Sequence, residues 1–176
     1  MVLEGYGIKL KRLRYEDIEM LRMWRNSDSV KQFMSFREYI SIEMQKRWFA
    51  SLKEDRDFYF IIYKDDYPVG LTEIKSVTED KSSGDLGIFI AESESLQIPM
   101  LTYRAIFTVI DFAFEQLQLT ELTASILPDN QRAIRFNESF GFKPSLDKSS
   151  KELLYYTLSK DDYQKKSTSI KKILNR

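Results

Sequence analysis

Apolar residues along this chain recur with two periods in turn, every second position and then every third or fourth, and that alternation restricts the fold more than any other feature. Residues 8–13 (IKLKRL) alternate apolar with basic side chains, the pattern of a half-buried strand, and residues 15–24 then set Ile18, Leu21 and Trp24 at helical spacing. Ser41 opens a second helical stretch, SIEMQKRWFASLKE, where its hydroxyl is placed to cap the start and Trp48, Phe49 and Leu52 form the apolar stripe. Residues 58–63 (FYFIIY) and 69–77 (VGLTEIKSV) flank a turn containing Asp65, Asp66 and Pro68, which predicts a hairpin; residues 84–91 add a third strand. Residues 101–119 place Ile106, Val109, Ile110, Ala113, Phe114 and Leu117 on one broad face of a long helix. A strand at 122–127, a helix at 130–140 closed by Gly141, and a last strand at 153–158 complete the pattern. Strand, two helices, three-strand meander, long helix, strand, helix, strand is the order of an α/β (α+β) domain, a mixed sheet covered by helices.

The chain is continuous in character up to about residue 160. Residues 1–160 therefore read as one domain, and residues 161–176 (DDYQKKSTSIKKILNR) as a basic, solvated tail or short helix. With 43% hydrophobic and 14% aromatic residues among 176, one sizeable core needs neither disulfides nor metal. Cysteine and histidine are both absent, which removes thiol catalysis, the commonest metal ligand and the commonest proton carrier at neutral pH. Any base must then be a carboxylate or water. Lysine plus arginine equal aspartate plus glutamate at 27 each, so no net field gathers nucleic acid. No segment reaches the ~18 apolar residues of a membrane span, and the first residues lack an apolar run before a cleavage site, so no membrane partner and a cytoplasmic location are expected.

Leu127, Pro128, Asp129 and Asn130, followed by Ala133, Phe136 and the pair Gly141 and Phe142, resemble the segment N-x-x-A-x-x-x-(Y)-x-x-x-G-F of the GNAT superfamily of N-acetyltransferases. Trp24-Arg25-Asn26, Val30, Phe33-Met34, Ile40-Ser41, Gln45 and Trp48-Phe49 are similar in spacing to members acting on ribosomal-protein N-termini and on the 4-amino group of nucleotide-linked amino sugars. The resemblance runs from about Ile8 to Leu158. It implies a central mixed, mostly antiparallel twisted sheet of six to seven strands flanked by about four helices. It also implies acetyl-coenzyme A as co-substrate with no metal, a small-molecule amine or protein N-terminus as acceptor, and a monomer or homodimer.

The same resemblance assigns candidate residues. The family cradles the coenzyme's pyrophosphate on free amides where a (Q/R)-x-x-G-x-(G/A) loop enters the long helix, and Gln97, Met100 and Thr102 stand at the marked positions. Met100, Leu101 and Thr102 would offer the amides, with Arg104 assisting; a plain helix start with Pro99 at its first position accounts for the same residues. Asn130 and Ala133 fall where the pantetheine is held, and Asn130 is equally a good helix N-cap. Phe136 is read at the place of a tyrosine that protonates the leaving thiolate, a role a phenyl ring cannot fill. For the base, Asp85 opens the strand GDLGIFI and Glu73 lies on the strand before it; solvent-facing strand charges are the alternative. Arg25, Asn26, Phe33 and Met34 are the candidate acceptor contacts, an aromatic floor with a cation to pair a phosphate. Replacement of the loop glycines also admits a second outcome, a catalytically silent GNAT-fold binding or regulatory domain.

Overall fold

A computed structural model describes residues 1–91, 100–146 and 149–174. Among the described residues, eight strands form one sheet: β1 (Val2–Gly5), β2 (Ile8–Arg12), β3 (Phe58–Lys64), β4 (Tyr67–Lys75), β5 (Ser83–Ile90), β6 (Glu121–Ile126), β7 (Lys143–Pro144) and β8 (Leu154–Ser159). Their spatial order is β1-β2-β3-β4-β5-β6-β8-β7. Every neighbouring pair is antiparallel except β5 with β6, which run parallel. A parallel pair needs a crossover, and helix α4 (Leu101–Asp111) lies in that connection.

The remaining helices are α1 (Ile18–Asn26), α2 (Asp28–Lys31), α3 (Ile42–Ser51), α5 (Gln131–Phe140) and α6 (Lys160–Leu174). They divide between the faces of the sheet. Phe58, Phe60 and Ile62 join Ala105, Phe107, Ile110, Phe140 and Tyr163 in the larger core cluster. Tyr59 and Ile61 turn the other way, into a cluster with Leu21, Trp24 and Val30 against which Trp48 and Phe49 pack. A strand covered on both faces has no polar side to show, and so FYFIIY is apolar throughout.

The sheet has one or two strands more than the six to seven expected. Residues 2–5 are too short and irregular to signal a strand, but Tyr6 and Gly7, both at positive φ, turn them back onto β2. β7 is two residues held on β8. The helix expected over 15–24 starts as a 3₁₀ turn at Tyr15–Asp17 before α1. The helix expected over 101–119 is α-helical only to Asp111 and widens into a π turn at Phe112–Gln116, closed by the Leu117 amide donating to the Phe112 carbonyl at 3.0 Å. The wider turn lets Phe112, Ala113 and Phe114 all be buried in succession. The polar stretch from Asp161 lies almost wholly within the 15-residue helix α6, whose Tyr163 reaches the main core. Among the described residues no helix is long and apolar enough to cross a membrane.

Candidate active site

Strands β5 and β6 are paired at only three positions, Ser83 with Glu121, Gly84 with Leu122 and Asp85 with Thr123. Beyond Asp85 and Thr123 the two strands part. The outer edge of β5 stays bonded to β4 and that of β6 to β8, so the parting leaves the facing main-chain groups of residues 86–90 and 124–126 directed into the gap. A cavity of about 710 Å³ opens there. One wall is the head of α4, with Met100, Leu101, Thr102 and Tyr103; another is α5, with Asn130, Ala133, Phe136 and Asn137. Val30, Phe33 and Met34 line it from the α2 side.

Glu73 and Asp85 both border this cavity, and Lys75 stands with them. Strand geometry brings the three together: Glu73 and Lys75 are two residues apart on β4, hence on one face, and Lys75 is directly opposite Asp85. Lys75 Nζ lies 2.7 Å from Glu73 Oε1 and 3.5 Å from Asp85 Oδ2, and the Thr123 hydroxyl donates to Asp85 Oδ1 at 3.2 Å. Burial pushes the Asp85 carboxyl above its usual range, with Lys75 and Thr123 acting against that rise. Burial works against the Lys75 charge, yet Glu73 and then Asp85 outweigh it and hold the ammonium above its ordinary pKa. Gly87, opposite Glu73, leaves room for this arrangement: a Cβ there would lie 2.8 Å from Glu73 Oε1.

The wall expected to take the coenzyme is built by helix starts. The first i to i−4 bond of α4 runs from the Arg104 amide to the Met100 carbonyl at 2.8 Å, so the amides of Leu101, Thr102 and Tyr103 belong to the free first turn. Met100 stands at φ +59, the left-handed conformation that glycine takes without steric cost. Asn130 does cap α5, its Oδ1 accepting from the Ala133 amide at 3.0 Å, while also bordering the cavity. Phe136 packs edge-on to Tyr103 with ring centroids 4.9 Å apart.

Other assignments shift. Gln97 lies outside the described residues. Arg104 does not line the cavity, because its guanidinium donates to the Tyr6 carbonyl in the β1–β2 turn. Asn26 is likewise engaged elsewhere, exchanging two hydrogen bonds of 2.9 Å with the backbone of Ile40 and tying the loop before α3 to α1. Arg25, on the same helix end, is absent from the lining. The tyrosine position of the family segment, four residues past Ala133 and four before Gly141, falls on Asn137 rather than Phe136. Asn137 borders the cavity and donates to the Ala133 carbonyl at 2.8 Å; an amide is no better a proton donor than a phenyl ring. Sequence reasoning also passed over Lys75, Arg132 and Arg135 on the lining. Strand alternation from Glu73 was the available signal for Lys75, and the turn spacing of α5 for the arginines.

This arrangement, a parallel pair splayed over a cavity with a helix head on one side, defines a class. The family model for the acetyltransferase (GNAT) domain matches residues 8–143, and the chain belongs to that family. Acetyltransferase PseH of Campylobacter jejuni subsp. jejuni serotype O:23/36 (strain 81-176) is 28% identical over 139 residues, covering 77% of this chain and 84% of that protein. The structure of C. jejuni PseH in complex with acetyl coenzyme A superposes with a TM-score of 0.64 at 23% identity, over 87% of this chain and 99% of the other. FdhC, described as a nucleotide-linked sugar GNAT, shares the fold with a TM-score of 0.81 at 19% identity, over 99% and 98% of the two chains. The spermidine N(1)-acetyltransferase of Escherichia coli (strain K12) is 23% identical, covering 78% of this chain and 74% of that protein.

Proposed function

We propose that this chain transfers an acetyl group from acetyl-coenzyme A to the primary amine of a small molecule, an amino sugar carried on a nucleotide. The observation that carries the reading is the splay of β5 from β6 beyond Asp85, with free main-chain edges on both sides and two carboxylates at its closed end. An extended amide ligand such as pantetheine fits between two such edges as an added strand would. Acetyl-coenzyme A supplies a thioester, whose attack by a neutral amine forms a C–N bond, breaks the C–S bond and releases the thiol after it takes up a proton.

The chain's residues supply the other proton step. An acceptor arrives as an ammonium and must lose a proton before it can attack; Asp85 or Glu73 accepts that proton and passes it to water. Burial of Asp85 favours the role, because a carboxyl with a raised pKa accepts a proton more readily. No side-chain acid is needed at Asn137, since a thiol pKa of about 8.5 makes the thiolate an adequate leaving group with water as donor.

The spacing of the acceptor-side residues, similar to members acting on nucleotide-linked amino sugars, and the fold shared with FdhC, a nucleotide-linked sugar GNAT, favour a sugar acceptor over a polyamine. Among the described residues the lining carries Arg132 and Arg135 on α5, where guanidinium groups suit phosphates.

Thermal denaturation with acetyl-coenzyme A and with coenzyme A tests the cofactor. At one hundred times the dissociation constant, binding adds about 2.7 kcal/mol, which for a chain of this size raises Tm by roughly 5–10 °C. Thiol release with a nucleotide-linked amino sugar, an N-terminal peptide and spermidine then tests the acceptor, and the sugar is expected to react fastest. Absence of any shift at millimolar cofactor would make this a silent GNAT-fold binding domain.

A further inference from the structure

Lys75 sits where an incoming ammonium would find its best partners. Its Nζ is 2.7 Å from one carboxylate and 3.5 Å from the other, and the three side chains are 36%, 16% and 21% exposed for Lys75, Glu73 and Asp85. A surface ion pair of this kind contributes little and would need no explanation. Here, however, the pair flanks the cavity, and both carboxylates share one cation. Two partly buried carboxylates that close to a common point raise each other's affinity for a proton unless a counter-charge stands between them. Glu73 is further constrained from below, because its carboxylate lies over Gly87 in space that any larger residue would occupy.

We propose that Lys75 is a positioning residue, a built-in counter-cation that keeps Glu73 and Asp85 both ionised and aimed into the splay, so that one carboxylate can take the acceptor's proton. The assignment rests on the acetyl-transfer reading above, but the state of the carboxylates can be measured apart from it. Among the described residues few groups face the cluster. Tyr59 on β3 lies across from Glu73, with its hydroxyl held neutral by burial and by Glu73; Asp57 and Arg25 act on Tyr59 in turn, and β6 offers the uncharged Thr123. None of these replaces the Lys75 charge between the two carboxylates.

The experiment compares wild type, Lys75→Met, Lys75→Gln and Lys75→Arg by carbon-13 NMR titration of the side-chain carboxyls, assigned with Glu73→Gln and Asp85→Asn. Loss of the cation in either neutral variant raises the titration midpoint of the pair by about one pH unit or more, and arginine returns it toward wild type. With acetyl-coenzyme A and the best acceptor, the acid limb of kcat moves up by the same amount, so turnover on that limb, at a pH below the wild-type midpoint, falls about tenfold while KM for acetyl-coenzyme A stays within twofold. Two results overturn the proposal: carboxyl midpoints that do not move in Lys75→Met and Lys75→Gln, or midpoints that move while the pH profile of kcat does not. A wild type that turns over no acceptor sinks the transferase reading and with it the catalytic part, whereas the titration alone still decides whether Lys75 sets the carboxylates' charge.

Discussion

Asp85 is held as a partly buried carboxyl at a cost to the fold. Its folded pKa is raised, first by burial, so its contribution to stability is greatest below the unfolded value of about 3.9 and is lost as pH climbs through the folded pKa. At neutral pH the ionised carboxylate therefore weakens the fold relative to a neutral group of the same shape. Asp85→Asn keeps the size and a hydrogen-bonding oxygen for Thr123, and it is expected to melt no lower than wild type at pH 7 while losing activity. The loss has a pH signature. An acceptor amine is already neutral at high pH, so turnover falls more at pH 7 than at pH 9.5, measured as thiol release at saturating cofactor. Equal loss at both would remove Asp85 from the proton path and leave Glu73 as the base. Neighbouring residues show why position in a motif is a weaker guide than environment: Asn26 and Arg104 carry suitable chemistry, but the Ile40 backbone and the Tyr6 carbonyl have already claimed them.

The helix α4 shows what periodicity reveals and what it leaves out. Its apolar face and its start near Leu101 were legible, because a dozen residues repeat one pattern and burial of that face dominates. The direction of each polar side chain was not. Arg104 stands one turn after Leu101, which borders the cavity, yet its guanidinium donates to the Tyr6 carbonyl and so leaves the lining, a choice that periodicity does not encode. Short elements were silent for a related reason: β7 and the four-residue α2 hold too few residues to repeat anything, and tertiary contacts alone create them. The strands around the site were readable from alternation, yet Lys75 beside Glu73 reads as a solvated pair until the partner strand supplies Asp85. At the head of α4 the substitution Met100→Gly carries the sharpest expectation. A side chain at φ +59 costs about 1–2 kcal/mol, which glycine avoids, so stability is not lowered despite glycine's freer unfolded chain. The smaller residue also lets a phosphate approach the free amides, and calorimetric titration with coenzyme A is expected to show several-fold tighter binding. Unchanged or weaker affinity would mean that the Met100 side chain itself packs the ligand.

For the molecule as a whole, the two ends of the chain meet on the helix that walls the site. Asp111, at the end of α4, accepts from the hydroxyl of Tyr6 at 2.7 Å, from that of Tyr163 at 2.7 Å and from Lys171 Nζ at 2.6 Å. One carboxylate thus ties the β1–β2 turn and α6 to the crossover helix. Burial and then Asp111 hold the Tyr163 hydroxyl above its ordinary pKa, so this contribution is whole below pH ~10 and is lost on the alkaline side. Tyr163 is 3% exposed and packs near Phe107 and Phe114, whose rings would meet water without it. Composition concealed this: residues 161–176 look solvated because Tyr163 and Leu174, eleven residues apart, are diluted by lysines. Truncation after Lys160 therefore removes part of the core. Each large apolar side chain newly exposed forfeits about 1.5–3 kcal/mol, against a typical total stability of about 5–15 kcal/mol. The truncated chain is expected to unfold at much lower urea than the full chain, or to fail to fold. Tyr163→Phe, which keeps the ring and deletes only the hydroxyl bond, should cost about 1 kcal/mol and make alkaline unfolding begin at higher pH. A truncated chain with an unchanged urea midpoint would show instead that α6 rests on the domain without supporting it, and that α4 holds its place through the sheet alone.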